Sequence, residues 1–192
     1  MCMMKTRHRG DTVVELVLAF AIFSLAAITT IMILNKGVAV SQRSLEKSLV
    51  RQQVDGQAEI IRYLRDTNNA RWTELKGLVT TNPLGLSSAQ CPDVDVISTS
   101  GANGFIVVPD ATDTEFFKII KASSSSYQPA EVFAKIDFGT KKAEGMWVQV
   151  VKAEDGETGI AAYDFYIHGC WDAPGQDIPM SVGTIVRLYD RS

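Results

Sequence analysis

The sequence predicts an α+β protein. One long N-terminal helix, apolar in its first half and amphipathic in its second, packs against an antiparallel sheet. Three observations lead there. No proline occurs before Pro83. An apolar run from Val13 to Leu34 passes into a segment with spacings of three and four that lasts to Arg65. Past residue 100 the pattern changes to short β-branched and aromatic runs joined by Gly-containing links.

The apolar run holds 22 residues, and Glu15 is its only charge. At about 1.5 Å rise per residue it reaches roughly 33 Å, enough for a hydrocarbon core of about 30 Å. The leader before it carries Lys5, Arg7 and Arg9 around His8 and contains no acid. Positive charge at this end predicts a cytoplasmic N-terminus, one pass through the cytoplasmic membrane, and a C-terminal domain outside. A secretory signal would have a shorter apolar run and a small-residue cleavage site, which Asn35-Lys36-Gly37 does not supply. A plain signal anchor fits the hydropathy but leaves Glu15 unexplained. An ionisable group at the edge of a span is costly and is read first as functional.

The leader ends in Gly10, Thr12 follows two residues on, Glu15 stands five past the glycine, and the apolar run continues from there. In this arrangement residues 5–34 resemble the N-terminus of type IV pilins and of type II secretion pseudopilins. The resemblance implies a pilin-like fold. It also implies a prepilin peptidase that cuts after Gly10 and N-methylates Asp11. Glu15 would then meet the N-terminal amine of a neighbouring subunit. Two residues depart from the family pattern: Asp11 stands where Phe is usual, and Met32 where a helix-kinking Pro is common. The implied segments are a leader at 1–10, a transmembrane assembly helix at 11–36, an amphipathic continuation at 37–66 and an extracytoplasmic β-rich domain at 67–192. The implied function is a structural subunit (pilin, minor pilin or pseudopilin), not an enzyme, found in a cell-surface filament after assembly. Its partners would be the peptidase, other pilin-like subunits and the cytoplasmic membrane. The alternative is a single-pass anchor that displays an extracytoplasmic binding domain and forms no filament.

In the amphipathic half, Leu45, Leu49, Gly56, Ile60 and Leu64 fall near one face, with Val54 and Ile61 on its flank. Arg43, Glu46, Lys47, Arg51, Gln52, Asp55 and Arg62 supply the polar face. Gly37 and Gly56 are the expected bend points. Thr67-Asn68-Asn69 stops the helix. Trp72 to Leu78 reads as a short helical piece, and Thr80 to Asp95 as an irregular connection with Pro83, Gly85 and Pro92. Strands are expected at Phe105–Val108, Phe116–Ile120, Val132–Phe138, Met146–Val151, Ile160–Ile167 and Thr184–Tyr189. Residues Glu154 to Gly159 read as a hairpin turn. Ser123 to Ser126 reads as a solvated loop.

Charge and cysteine usage agree with an extracytoplasmic domain. Loss of Lys5, Arg7 and Arg9 takes the formal charge from −3 to −6, which gives no support to nucleic-acid binding. Cys2 would leave with the leader, so Cys91 and Cys170 remain. A pair in an oxidising compartment reads as a disulfide, and pilin resemblance leans the same way; two separate buried thiols are the alternative. Enzymatic signals are sparse. His168 lies two residues from Cys170, so a Cys–His pair is conceivable only if Cys170 is unbridged. No phosphate loop, paired-Cys metal motif or nucleophile elbow is present, and no cofactor is expected. Asp93 with Asp95, or Asp110 with Asp113 and Glu115, could contribute to a calcium site, but such acids usually mark turns.

Overall fold

The computed structural model describes residues 11–67, 70–81, 83–85, 90–99, 101–114, 116–123, 125–153 and 161–190, with the side chain of Asp11 left aside. Gly10 and the rest of the leader, Asn68, Asn69, Glu115 and the expected turn at Glu154–Gly159 lie outside the described residues. Two compact units divide the chain: one up to Gln42, the other from Arg43 to Ser192.

Helix α1 (Asp11–Asp66) is 56 residues long and contributes to both units. In the first unit its large side chains are exposed, from 52% at Ile28 to 71% at Phe23. Its hydroxyls are satisfied inside the helix. Ser24 donates to the Phe20 carbonyl at 2.8 Å, Thr29 to Leu25 and Ala26 at 3.0 and 2.9 Å, and Thr30 to Ala26 at 2.7 Å. Such back-bonding spares these three hydroxyls the need for water on an apolar surface. Gly37 lies within the helix and does not interrupt it.

The second unit is built on the amphipathic half of α1. Its buried stripe is Glu46, Val50, Val54, Gln57, Ala58, Ile61 and Leu64. This corrects the expected face. Val54 and Ile61 lie at its centre rather than its flank, Leu45 is 61% exposed, and Gly56 is exposed. The stripe contains two polar side chains, which a pattern of apolar spacings excludes. Short helices α2 (Ala70–Lys76) and α3 (Val94–Ser98) follow; the second begins at the end of the stretch expected to be irregular, Thr80 to Asp95, and runs past it.

Among the described residues eight strands form two sheets. They are β1 (Phe105–Pro109), β2 (Phe117–Lys121), β3 (Tyr127–Gln128), β4 (Lys135–Asp137), β5 (Lys142–Glu144), β6 (Met146–Ala153), β7 (Ala162–Trp171) and β8 (Met180–Tyr189). The larger sheet has the order β2-β1-β6-β7-β8, and every neighbouring pair is antiparallel. The smaller sheet, β3-β5-β4, contains a parallel pair, β3 with β5, that the sequence reading lacks. Within the expected strand at Val132–Phe138, only Lys135 to Asp137 pair.

The helix meets the sheet closely at β7. A Cβ at Gly169 would stand 2.8 Å from a Val50 methyl and 3.2 Å from the Ala134 Cβ, so glycine is what allows this approach. Gly145, at the start of β6, has φ +63°, and a Cβ there would meet the Cys170 carbonyl at 2.3 Å. Both constraints point to glycine. The seam is closed by Trp171, whose indole N–H donates to Glu46 at 3.1 Å.

Strands β1 and β6 pair only at Phe105 and Val148 and then separate. Two devices serve the backbone groups freed by that divergence. Thr80 N–H donates to the Val150 carbonyl at 2.7 Å, beside a parallel bridge between Val79 and Val150. The Gln57 side-chain amide does for Val107 what another strand would do: it donates to the Val107 carbonyl at 2.8 Å and accepts from the Val107 N–H at 3.0 Å. The other face of the sheet is partly covered by the segment that carries α3. Gln149 fixes that segment by donating to the Ala102 carbonyl and accepting from Leu84 N–H, at 2.7 and 2.9 Å.

Candidate functional site

The first candidate site is the apolar portion of α1. Among the described residues it is the one helix long and apolar enough to cross a membrane, and the window concerned has no buried share. Glu15 lies near its start, exposed, between Val14 and Leu16, which are 70% and 58% exposed. No ion pair among the described residues involves Glu15. Glu15 follows Asp11 along the helix by about one turn. Hence Asp11 and Glu15 belong to one end of an exposed apolar helix, while the expected cleavage point, Gly10, lies outside the described residues.

The second feature is the Cys91–Cys170 disulfide, which spans 79 residues of sequence with a Cα–Cα distance of 5.6 Å. It ties the segment before α3 to the end of β7. Cys170 is 2% exposed and its sulfur is committed to Cys91, so it is no thiolate nucleophile. The alternative of two separate thiols is thereby set aside, together with a Cys–His pair.

His168 is 7% exposed, and neither ring nitrogen has a hydrogen-bond partner among the described residues. Its ring lies 5.3 Å from Trp147 and over Gly183 on β8, where a Cβ would come within 2.8 Å of Nδ1. Burial lowers its pKa from 6.5 to about 4, so the ring is neutral at physiological pH. This is a packed aromatic residue on a sheet face.

Two of the acids named as calcium candidates, Asp110 and Asp113, have other occupations. Asp110 is held by Lys141 and accepts from the hydroxyl and the N–H of Thr112 at 2.7 and 3.1 Å. The Lys141 hydrogen bond, then those from Thr112, draw its pKa well below the usual carboxylate range. Asp113 pairs with Arg71 at 2.6 Å. Among the described residues no group of three or more His, Cys, Asp or Glu is placed to hold a metal ion.

The sequence reading missed Glu46, Gln57, Gln149 and Asp164 as structural polar groups. Asp164 on β7 takes both arms of Arg187 on β8 at 2.7 Å. Only the facing register of the two strands brings that pair together. No protein-family model, curated protein or solved structure matches the chain.

Proposed function

We propose that the chain is a structural subunit (pilin, minor pilin or pseudopilin) of a type IV pilus-like or type II secretion-like filament. The observation that carries this reading is Glu15: a single charge near the start of an exposed apolar helix, five residues past the glycine that ends a basic leader. Before assembly the helix rests in the cytoplasmic membrane with the leader in the cytoplasm. A prepilin peptidase removes residues 1–10 and exposes the amine of Asp11. Packing of helices from many subunits then supplies adhesion, and the amine of one subunit compensates Glu15 of the next. An unpaired carboxylate in hydrocarbon is costly, so this pairing sets the register. Asp11 brings a second carboxylate to the same helix end, where the helix dipole favours negative charge.

The test compares the wild type with Glu15→Leu for leader removal and for incorporation into sheared filaments. Mature protein should begin at Asp11 in both. The variant should insert normally and fail to incorporate efficiently, since each filament contact would bury an uncompensated amine at several kcal/mol. A mature protein that keeps residues 1–10 would favour the alternative, a membrane-anchored extracytoplasmic binding domain that forms no filament. Equal incorporation of both forms would remove Glu15 from the mechanism.

A further inference from the structure

The two edges of the larger sheet are built differently. Strand β2 forms one of them. It has five residues, two of them lysines (Lys118 and Lys121), and Phe116 just before it has φ +60°. The Phe117 carbonyl, which points away from β1, accepts from the Arg71 guanidinium at 3.1 Å. Shortness, lysines and covering groups are the usual means of keeping other strands off an edge. Strand β8 forms the other edge and has none of these. Its ten residues contain no proline and no lysine, and its register with β7 runs from Met180 to Tyr189 without a bulge. Its single charge, Arg187, is held by Asp164 of its own sheet.

Two hydrogen bonds show which way the β8 backbone points. Asp190 N–H donates to the Ala161 carbonyl and Cys170 N–H to the Gly145 carbonyl, each at 2.8 Å. In an antiparallel pair, successive residues turn their N–H and C=O to opposite sides. The even-numbered residues of β8 therefore bond to β7, and Ser181, Gly183, Ile185, Arg187 and Tyr189 turn their backbone groups outward. Among the described residues no hydrogen bond takes up the N–H or C=O of Ser181, Gly183, Ile185 or Tyr189. The side chains of Ile185 and Tyr189 are 59% and 46% exposed. An unbroken open edge with apolar side chains is a template for another strand.

We infer that β8 pairs with β8 of a second copy of this chain, antiparallel and centred on Ile185, so that the two larger sheets become one. The strand is complementary to itself in that register. Ile185 faces its own copy, Gly183 faces Arg187, and Ser181 faces Tyr189. Combined with the register between β7 and β8, this gives a central row Tyr166-Ile185-Ile185-Tyr166. On either side runs a row Asp164-Arg187-Gly183-His168. No like charges meet, and the glycine leaves room for the arginine. On the face toward α1, Val182 meets Leu188 and Thr184 meets Val186, which extends the apolar side of the sheet. A register centred on Arg187 would set two guanidinium groups opposite each other. One centred on Gly183 would set Pro179, which has no N–H, opposite Arg187. The inference rests on the second unit alone and is independent of filament assembly.

The test follows the mass of the full chain in detergent micelles against protein concentration, by light scattering. A concentration-dependent dimer is expected for the wild type. Ile185→Lys sets two lysines opposite each other, with Cα atoms about 5.5 Å apart, and should weaken dimerisation by at least about tenfold. Ile185→Glu should do the same. Because the position faces itself, an equal mixture of the two variants should dimerise at least as well as the wild type, which also shows that both are folded. Ile185→Pro removes an outward N–H that the monomer does not use, and should likewise leave a monomer. A dimer unchanged by Ile185→Lys would place the contact elsewhere, in α1 for example, and overturn the proposal. So would a mixture that dimerises no better than either variant alone. A wild type that stays monomeric at every concentration would also overturn it, and a strand of another protein would be the remaining occupant of the edge.

Discussion

At the scale of single residues, the polar groups inside the second unit divide into those with partners and those without. Glu46 and Gln149 are buried and bonded, which makes them specific rather than costly. His168 is buried with neither ring nitrogen partnered among the described residues, and its packing tolerates only the neutral ring. The sign of the pH effect follows. The unfolded chain takes up a proton near pH 6.5, whereas the folded ring resists until about pH 4. Unfolding is therefore favoured as the pH falls through that window, and unaffected by this group above it. The full effect is about 3 kcal/mol, reached near pH 4. Urea titrations between pH 7 and 4 should show His168→Leu losing less stability over this range than wild type. Parallel curves for the two proteins would mean that the ring is reached by water or by a partner group.

At the scale of elements, the contact between α1 and the larger sheet depends on side chains that a hydrophobic pattern does not reveal. The apolar residues of the amphipathic half mark a helix face only approximately, because two of the positions that complete the buried stripe are Glu46 and Gln57. Leu45, one residue before Glu46, points to solvent instead. Gln57 stands in for a missing strand beside Val107, where β1 has left β6. Gln57→Leu keeps an apolar stem but strands one donor and one acceptor of the backbone. A loss of about 2–3 kcal/mol in denaturant unfolding is expected, together with faster amide exchange at Val107. A loss below about 0.5 kcal/mol would mean that water replaces the amide, as at an exposed surface site.

At the scale of the whole molecule, the 79-residue span of the Cys91–Cys170 bond is the largest covalent constraint among the described residues. In the chain-entropy account, closing so long a loop is worth up to about 4–5 kcal/mol. Replacing both cysteines by Ser should lower the melting temperature of the Arg43–Ser192 unit and leave membrane insertion of α1 intact. An unchanged melting temperature would show that packing around Tyr127 and Trp147 already fixes that corner.

The sequence by itself determined the elements whose signal is local. The apolar stretch of α1 is readable because every residue from Val13 to Leu34 faces the same surroundings, so composition alone specifies it. Strands β1 and β6 are legible for a similar reason, since β-branched and aromatic residues mark them, whereas β7 was read only as far as Ile167 and β8 only from Thr184. Other features needed partners that the sequence does not place. Strands β3 and β5 have two and three residues and are defined by pairing, β3 with β5 between positions as distant as Tyr127 and Ala143, and β5 also with β4. The rotation of the helix face, the glycine at 169 and the Gln57 bridge were decided by contact with the sheet. The meeting of Cys91 with Cys170, 79 residues apart in sequence, likewise depended on the fold. Local propensity is written along the chain, whereas polar groups and glycines take their meaning from what folding sets against them.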